Sequence, residues 1–309
     1  MTKKMRLATY FALATAFISG VNTLVSKAVV SGMSDPVVFT TLKNGIVGVI
    51  LIGALIVWNK WGEIKTLSRK QWYKLLSIGV IGGSIPFALF FTGLTQTSGM
   101  NAALIHKTLF IWVLLLAVPL LKEKVNSWQI FGIGAVFAAN LFIGGFNGFS
   151  FNTGELMILG ATLLWAVEII IAKKVLKNVS SLVVASSRMV FGSLILLAFI
   201  FWKGSFGLVI GLGASQWIGV LITSLFLTGY VITWYTALKY APATYVATLL
   251  VASTLVTNVL SAMFVTHTFS EEKLISSLLY IVGFICVIGF ADHTAKETAK
   301  KLEISSVVE

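Results

Sequence analysis

The chain has 309 residues, 57% of them hydrophobic and 11% charged, with a formal net charge of +12. A soluble domain carries about 25% charged residues, so there is too little polar surface here to cover a water-soluble globule, and a bilayer is the natural solvent. The basic residues stand in short clusters between apolar runs and not along one extended face, which argues against a nucleic-acid partner and for orientation signals at a membrane.

A helix needs about 20 apolar residues to cross the hydrocarbon core. The first run, 6–30, follows a basic start but is too long for a secretory leader and reads as a span. Four more follow at 36–58, 74–95, 99–121 and 127–146, then five at 154–173, 181–202, 217–238, 243–266 and 274–291. The link Gln96-Thr97-Ser98-Gly99 separates the third from the fourth, and Ala241-Pro242 the eighth from the ninth. The expected fold is therefore an all-α integral membrane protein of ten transmembrane helices. Residues 292–309 read as a charged cytoplasmic tail. One cysteine, Cys286, excludes an intramolecular disulfide.

The loops test the count. Lys27, Lys203 and Lys273 fall on one side, Lys43, Lys107 and Arg188 fall within spans, and the remaining 17 basic residues fall on the other side. That bias predicts cytoplasmic N- and C-termini. The short loops point to a prokaryotic cell (plasma) membrane.

Similar landmarks recur in order at a separation of 144 to 148 residues. Lys27-Ala28-Val29 matches Lys173-Lys174-Val175, and Lys43 matches Arg188. Gly93-Leu94-Thr95-Gln96 matches Ala237-Leu238-Lys239-Tyr240, Thr108-Leu109 matches Thr254-Leu255, and Leu121-Lys122-Glu123 matches Phe269-Ser270-Glu271. The division expected is one five-helix repeat over 1–150 and a second over 151–291. Five is odd, so the second half enters the membrane from the opposite side, as an inverted repeat.

Several of these landmarks resemble the drug/metabolite transporter superfamily, and within it proteins with two EamA domains. They are Ser34-Asp35-Pro36 with Lys43 in the second span, the small-residue junction before the fourth, and Leu121-Lys122-Glu123 after it. Gly132 and Gly145 in the fifth follow, then Gly154-Glu155-Leu156 and Leu164-Trp165-Ala166 opening the second half. The resemblance covers about residues 6–290. It implies a central cavity formed by spans one to four and six to nine, with the fifth and tenth at the periphery. Many relatives carry proline near the middle of spans four and nine. Here those stretches read His106-Lys107-Thr108-Leu109-Phe110 and Ser253-Thr254-Leu255-Val256, so both helices are expected to run unkinked, with a cation in the membrane.

A charge inside the bilayer is costly and normally faces a cavity or a partner. Lys107 lies too deep in its span for easy snorkelling and could bind an anionic solute group or fix helix register in an ion pair. Glu168 could pair with Lys107, receive a substrate amine or accept a coupling proton. His106 is either a proton relay or a hydrogen-bonded packing residue. Asn22, at the repeat position of Glu168, and Asn258 could line the cavity, as could the aromatic rings of Trp112, Trp165, Trp234 and Tyr235, whose default role is packing. Lys43 and Arg188 read as shallow gating or structural charges that snorkel or bind neighbouring helix ends.

The function expected is a secondary-active or facilitative transporter working by alternating access, with export as the direction. The resemblance implies a small organic metabolite such as an amino acid. The partners are that solute and the lipid bilayer; proton coupling and a homodimer stay open. No P-loop stands in the sequence to drive transport by ATP, and no metal or other cofactor is expected. The alternative is an integral-membrane enzyme or flippase acting on lipid-linked substrates, but no Ser/His/Asp grouping or paired His/carboxylate pattern supports catalysis, so no catalytic residue is assigned.

Overall fold

The computed structural model describes residues 2–141, 148–268 and 271–289. The end of the fifth predicted span with Gly145, the pair Phe269-Ser270, and the tail lie outside the described residues. In chain order the helices are α1 (Lys3–Val30), α2 (Pro36–Val57), α3 (Trp61–Lys65), α4 (Arg69–Gly83), α5 (Ile85–Leu94), α6 (Gly99–Lys107), α7 (Leu109–Leu121), α8 (Ser127–Leu141), α9 (Thr153–Val175), α10 (Ser181–Trp202), α11 (Gly207–Ile210), α12 (Ala214–Tyr240), α13 (Ala243–Leu250), α14 (Ser253–Ser261) and α15 (Glu271–Gly289). A short π-helical turn, Ala262–Thr266, continues α14.

With α4–α5, α6–α7 and α13–α14 each counted as one rod, nine apolar helices among the described residues are long enough to cross a membrane. The shorter α8 stands in the place of the fifth span. Local chemistry sets the starts: Thr2, Asp35, Ser68, Ser98, Asn152 and Ser180 each accept from a first-turn N–H, as N-caps do. Asp35 also accepts from Lys203 Nζ at 2.8 Å. Partial burial pushes its carboxyl up, but Lys203 and the Val37 N–H outweigh that and leave it below the usual carboxylate range.

Three rods are broken in the middle. Pro86 interrupts the third, where Ser84 leaves helical geometry at φ −132° and ψ −74°. The fourth breaks at Thr108 and the ninth at Val251–Ala252, against the expectation of unkinked helices. No proline is needed. The hydroxyl and the N–H of Thr108 both donate to the Ile105 carbonyl, at 2.6 and 3.1 Å, and Val251 and Ala252 donate to Thr248 and Leu249 at 3.1 and 3.0 Å. These are i to i+3 bonds, which tighten a helix and often mark a hinge.

The packing is two-fold. Helix α1 runs along α12, as α4 and α5 run along α9. Helix α1 also meets α13 and α14, as α9 meets α6 and α7. Helix α10 crosses α4, as α2 crosses α12, while α2·α10 and α8·α15 map onto themselves. Exchanging each span for the one five places on thus reproduces these contacts, and the two repeats are inverted. Side chains fix the register. Thr9 and Tyr245 share a hydrogen bond of 2.8 Å, and their counterparts are Glu155 and Asn101, whose Nδ2 donates to Oε1 at 2.6 Å. Gly132 abuts the Gly283 backbone, while Ser276 donates to the Ala139 carbonyl at 2.8 Å. Spans five and ten therefore match with Gly132 opposite Ser276. Lys122 and His267 are the left-handed residues that close spans four and nine, at φ 56° and 52°. This sets Glu123 opposite Thr268, about three residues before the predicted match at Glu271.

The two ends of the bundle differ. At the end carrying the N-terminus, Ala8, Leu51, Leu55, Leu75, Phe110, Val113, Ile170, Val184 and Val246 form one continuous buried core. Seven of the eight residues of α13 are buried there, whereas in α14, toward the opposite end, Thr254 alone is. Helices α7 and α13 pack on each other; beyond the breaks, α6 turns to α9 and α14 to α1.

Candidate functional site

A kinked helix exposes the carbonyl that proline leaves without a donor. Pro86 stands four residues after Gly82, so the Gly82 carbonyl has no N–H from its own helix. Two side chains supply the lack: Trp165 Nε1 donates to it at 3.0 Å and Arg188 Nη2 at 3.1 Å. Gly82 is also where α4 touches Glu168; a Cβ there would overlap the Glu168 side chain. The result is a buried polar cluster at the meeting of α4, α9, α10 and α12. Within it, Tyr235 Oη donates to Glu168 Oε1 at 2.6 Å, and the Arg188 guanidinium lies within electrostatic reach of Glu168, Tyr235 and Tyr230. Glu168 is 1% exposed and Arg188 8%. One guanidinium nitrogen, Nε, has no partner among the described residues.

This corrects two expectations. Arg188 does not snorkel but takes the other expected role, binding the end of a neighbouring helix at the Gly82 carbonyl in the last turn of α4. Lys43 is equally buried, with its ammonium 4.9 Å from the centre of the Phe39 ring and its carbonyl accepting from Ser224 Oγ at 3.4 Å. Nor does Glu168 pair with Lys107. It accepts from Tyr235 and has the Arg188 guanidinium as its nearby counter-charge, whereas Lys107 makes no ion pair among the described residues.

Lys107 is the last residue of α6 and stands half-buried at the break in the fourth span. Trp112 Nε1 donates to Thr108 Oγ1 at 3.0 Å across the same break. His106, beside it, packs edge-on to Trp165 and Phe90 with ring centroids 4.8 and 5.4 Å away. Its Nδ1 is buried without a hydrogen bond among the described residues, so there it is not the bonded packing histidine expected. Asn258 lies on α14 with Nδ2 buried and without a partner among the described residues, and Asn22 on α1 accepts from Ser26 Oγ at 3.2 Å. Trp165 links the two groups of residues, with its indole N–H on Gly82 and its ring against His106.

Sequence reasoning missed Gly82, Pro86 and Tyr230. The signal for the first two was present: a proline within an apolar run four residues after a glycine. Restoring the N–H by Pro86→Ala is expected to let the Gly82 carbonyl bond within its own helix and to weaken the hold on Arg188 and Trp165. Indole fluorescence of Trp165, read in a background lacking the other eight tryptophans, is expected to shift to the red; an unchanged spectrum would show that Trp165 keeps its bond.

Comparison with known proteins follows the same architecture. The EamA-like transporter family matches residues 6–145 and again 152–289. The uncharacterized transporter YvbV of Bacillus subtilis (strain 168) is 28% identical over 293 residues, covering 91% of this chain and 90% of its own. The uncharacterized transporter sll1164 of Synechocystis sp. is 25% identical over 195 residues, covering 57% and 56%. A solved crystal structure superimposes with a TM-score of 0.75 over 93% of this chain and 98% of its own at 16% identity, which speaks to the fold alone. With both halves of the chain matched and nine span-length apolar helices among the described residues, the protein belongs to the EamA-like transporter family and is a multi-pass membrane transporter.

Proposed function

We propose that the chain carries small organic metabolites bearing a carboxylate, amino acids among them, by alternating access between its two repeats, and that it works as an exporter in the plasma membrane with both termini in the cytoplasm. The observation that carries this reading is the pair of helix breaks at repeat-related positions, Thr108 and Val251–Ala252, with the unpaired Lys107 at the first of them. Broken helices near the middle of a bundle place backbone and side-chain polar groups where a solute can use them. Lys107 supplies a cation for a carboxylate. Trp165 and His106 supply ring faces and edges beside it, and Asn258 an amide N–H without a partner among the described residues. The Glu168–Arg188–Tyr235 cluster forms the floor behind Trp165. Glu168 is the acceptor for a coupling proton, because its charge already balances that of Arg188 and protonation would release that balance.

Uptake of a labelled amino-acid and metabolite panel into proteoliposomes tests the reading. Lys107→Ala is expected to raise the apparent KM for carboxylate solutes at least tenfold, in line with loss of a charge-assisted bond, with Lys107→Arg retaining part of the affinity. A saturable flux indifferent to both substitutions would remove Lys107 from the site. A flux that ignores a pH gradient in the parent chain would remove the proton.

A further inference from the structure

Charged side chains grip the turn between α12 and α13 at the packed end. Lys173, in the last turn of α9, donates from Nζ to the carbonyls of Leu238 and Ala241 at 2.6 Å each. Glu123, just beyond α7, accepts from the N–H groups of Ala243 and Thr244 at 2.6 and 3.0 Å and from the Thr244 hydroxyl at 2.6 Å. A cation on the last carbonyls of one helix and an anion on the first amides of the next both follow the helix dipoles. Such charge-assisted bonds are the stronger kind. They tie α7 and α9 to the α12–α13 turn.

The exchange of repeats has a counterpart for each part of this clamp. In the register set by Thr9 and Glu155, Lys27 stands for Lys173. In the register set by Asn101 and Tyr245, Leu94 and Thr97 stand for Leu238 and Ala241. At that end the clamp is open. Lys27 is exposed, and its ammonium makes no hydrogen bond among the described residues; Thr95 and Gln96 are exposed. A Cβ built on Gly99 would meet nothing within 4 Å. Opposite Glu123 stands Thr268, next to His267, and neither carries a carboxylate.

We propose that Lys27 is the second member of a paired latch. When the loosely packed end closes, its ammonium takes the carbonyls of Leu94 and Thr97, while Lys173 releases those of Leu238 and Ala241. The two latches are unequal, since no anion accompanies Lys27, and the chain therefore rests with the packed end shut. This inference depends on the alternating-access reading above.

The test uses sidedness of labelling and needs no known solute. Asn22→Cys in a Cys286→Ser background reports access, as the rate of reaction with a membrane-impermeant maleimide added to either face of proteoliposomes. Glu123→Gln, or Lys173→Met should the first fail to fold, is expected to raise labelling from the face carrying the N-terminus about tenfold. Adding Lys27→Met to that background is expected to return the rate toward the parent value, because the competing closed state loses its clamp. Lys27→Met without effect in a background that has shifted overturns the role of Lys27 and leaves alternating access standing. No labelling from that face in any variant overturns both.

Discussion

Glu168→Ala lowers the stability of the purified chain by about 3–5 kcal/mol, the cost of stripping one partner from a buried charge pair. The size follows from what remains. Arg188 keeps the Gly82 carbonyl at 3.1 Å but loses its counter-charge at 8% exposure, and Tyr235 loses the acceptor of its 2.6 Å bond. Glu168→Gln keeps an acceptor for Tyr235 and loses the charge, so it is expected to fall between parent and Glu168→Ala. The double variant Glu168→Leu with Arg188→Leu is expected to cost far less than the sum of the two single changes, since no charge is then left stranded. Thermal unfolding of the parent and the five variants, the two leucine single changes included, in one detergent measures the ordering. A Glu168→Ala chain within about 1 kcal/mol of the parent would mean that Arg188 finds another partner or reaches water, and would contradict the cluster as described.

Gly83→Leu is the second large effect, with a different cause. Gly83 and Gly192 cross at the contact of α4 with α10. A Cβ on Gly83 would overlap the Arg188 carbonyl and lie 2.9 Å from the Gly192 Cα. Both neighbours are backbone, so neither can turn aside as a side chain could. Overpacking of this kind costs about 3 kcal/mol, and here it also pries α10 from α4 and moves Arg188 away from Gly82. Gly53→Ala is the control. It lies inside α2 with nothing within 4 Å of the added methyl, and removing a helical glycine is expected to stabilise by about 0.5–1 kcal/mol. Equal losses in the two variants would show that glycine content, not close approach, sets the stability.

The spans, their order and the repeat could be read from the sequence because each rests on a local signal: an apolar run, a capping residue, or a landmark that recurs at nearly constant spacing. The breaks in the fourth and ninth spans were hidden because they arise from threonine and backbone bonding and not from proline. The site was legible in its membership but not in its pairings. Lys107 and Glu168 looked like partners because they are opposite charges at membrane depth. The actual partner of Glu168 comes from α12, and Arg188 is drawn inward by the carbonyl that Pro86 leaves free. Neither fact can be read within one helix. The match of Glu123 to Glu271 failed because like residues near a span end outweighed the position of the left-handed turn that ends it.

The mutual packing of the repeats also bears on how the chain is made. The major partners of α1, α2 and α8 are α12, α10 and α15, all in the other half. When α8 has been synthesised, no helix of the first half has met its main partner. Completing α12 takes roughly 100 more residues, or about 5–20 s at ordinary elongation rates. For that interval Gly20, Gly83 and Gly93 present backbone surfaces that later helices will cover, and lipid or the insertion machinery must stand in for them. Ribosome pausing within the second half should therefore raise the degraded fraction of nascent chains more than the same pause near residue 100, and two half-chains made together should accumulate where either alone is cleared.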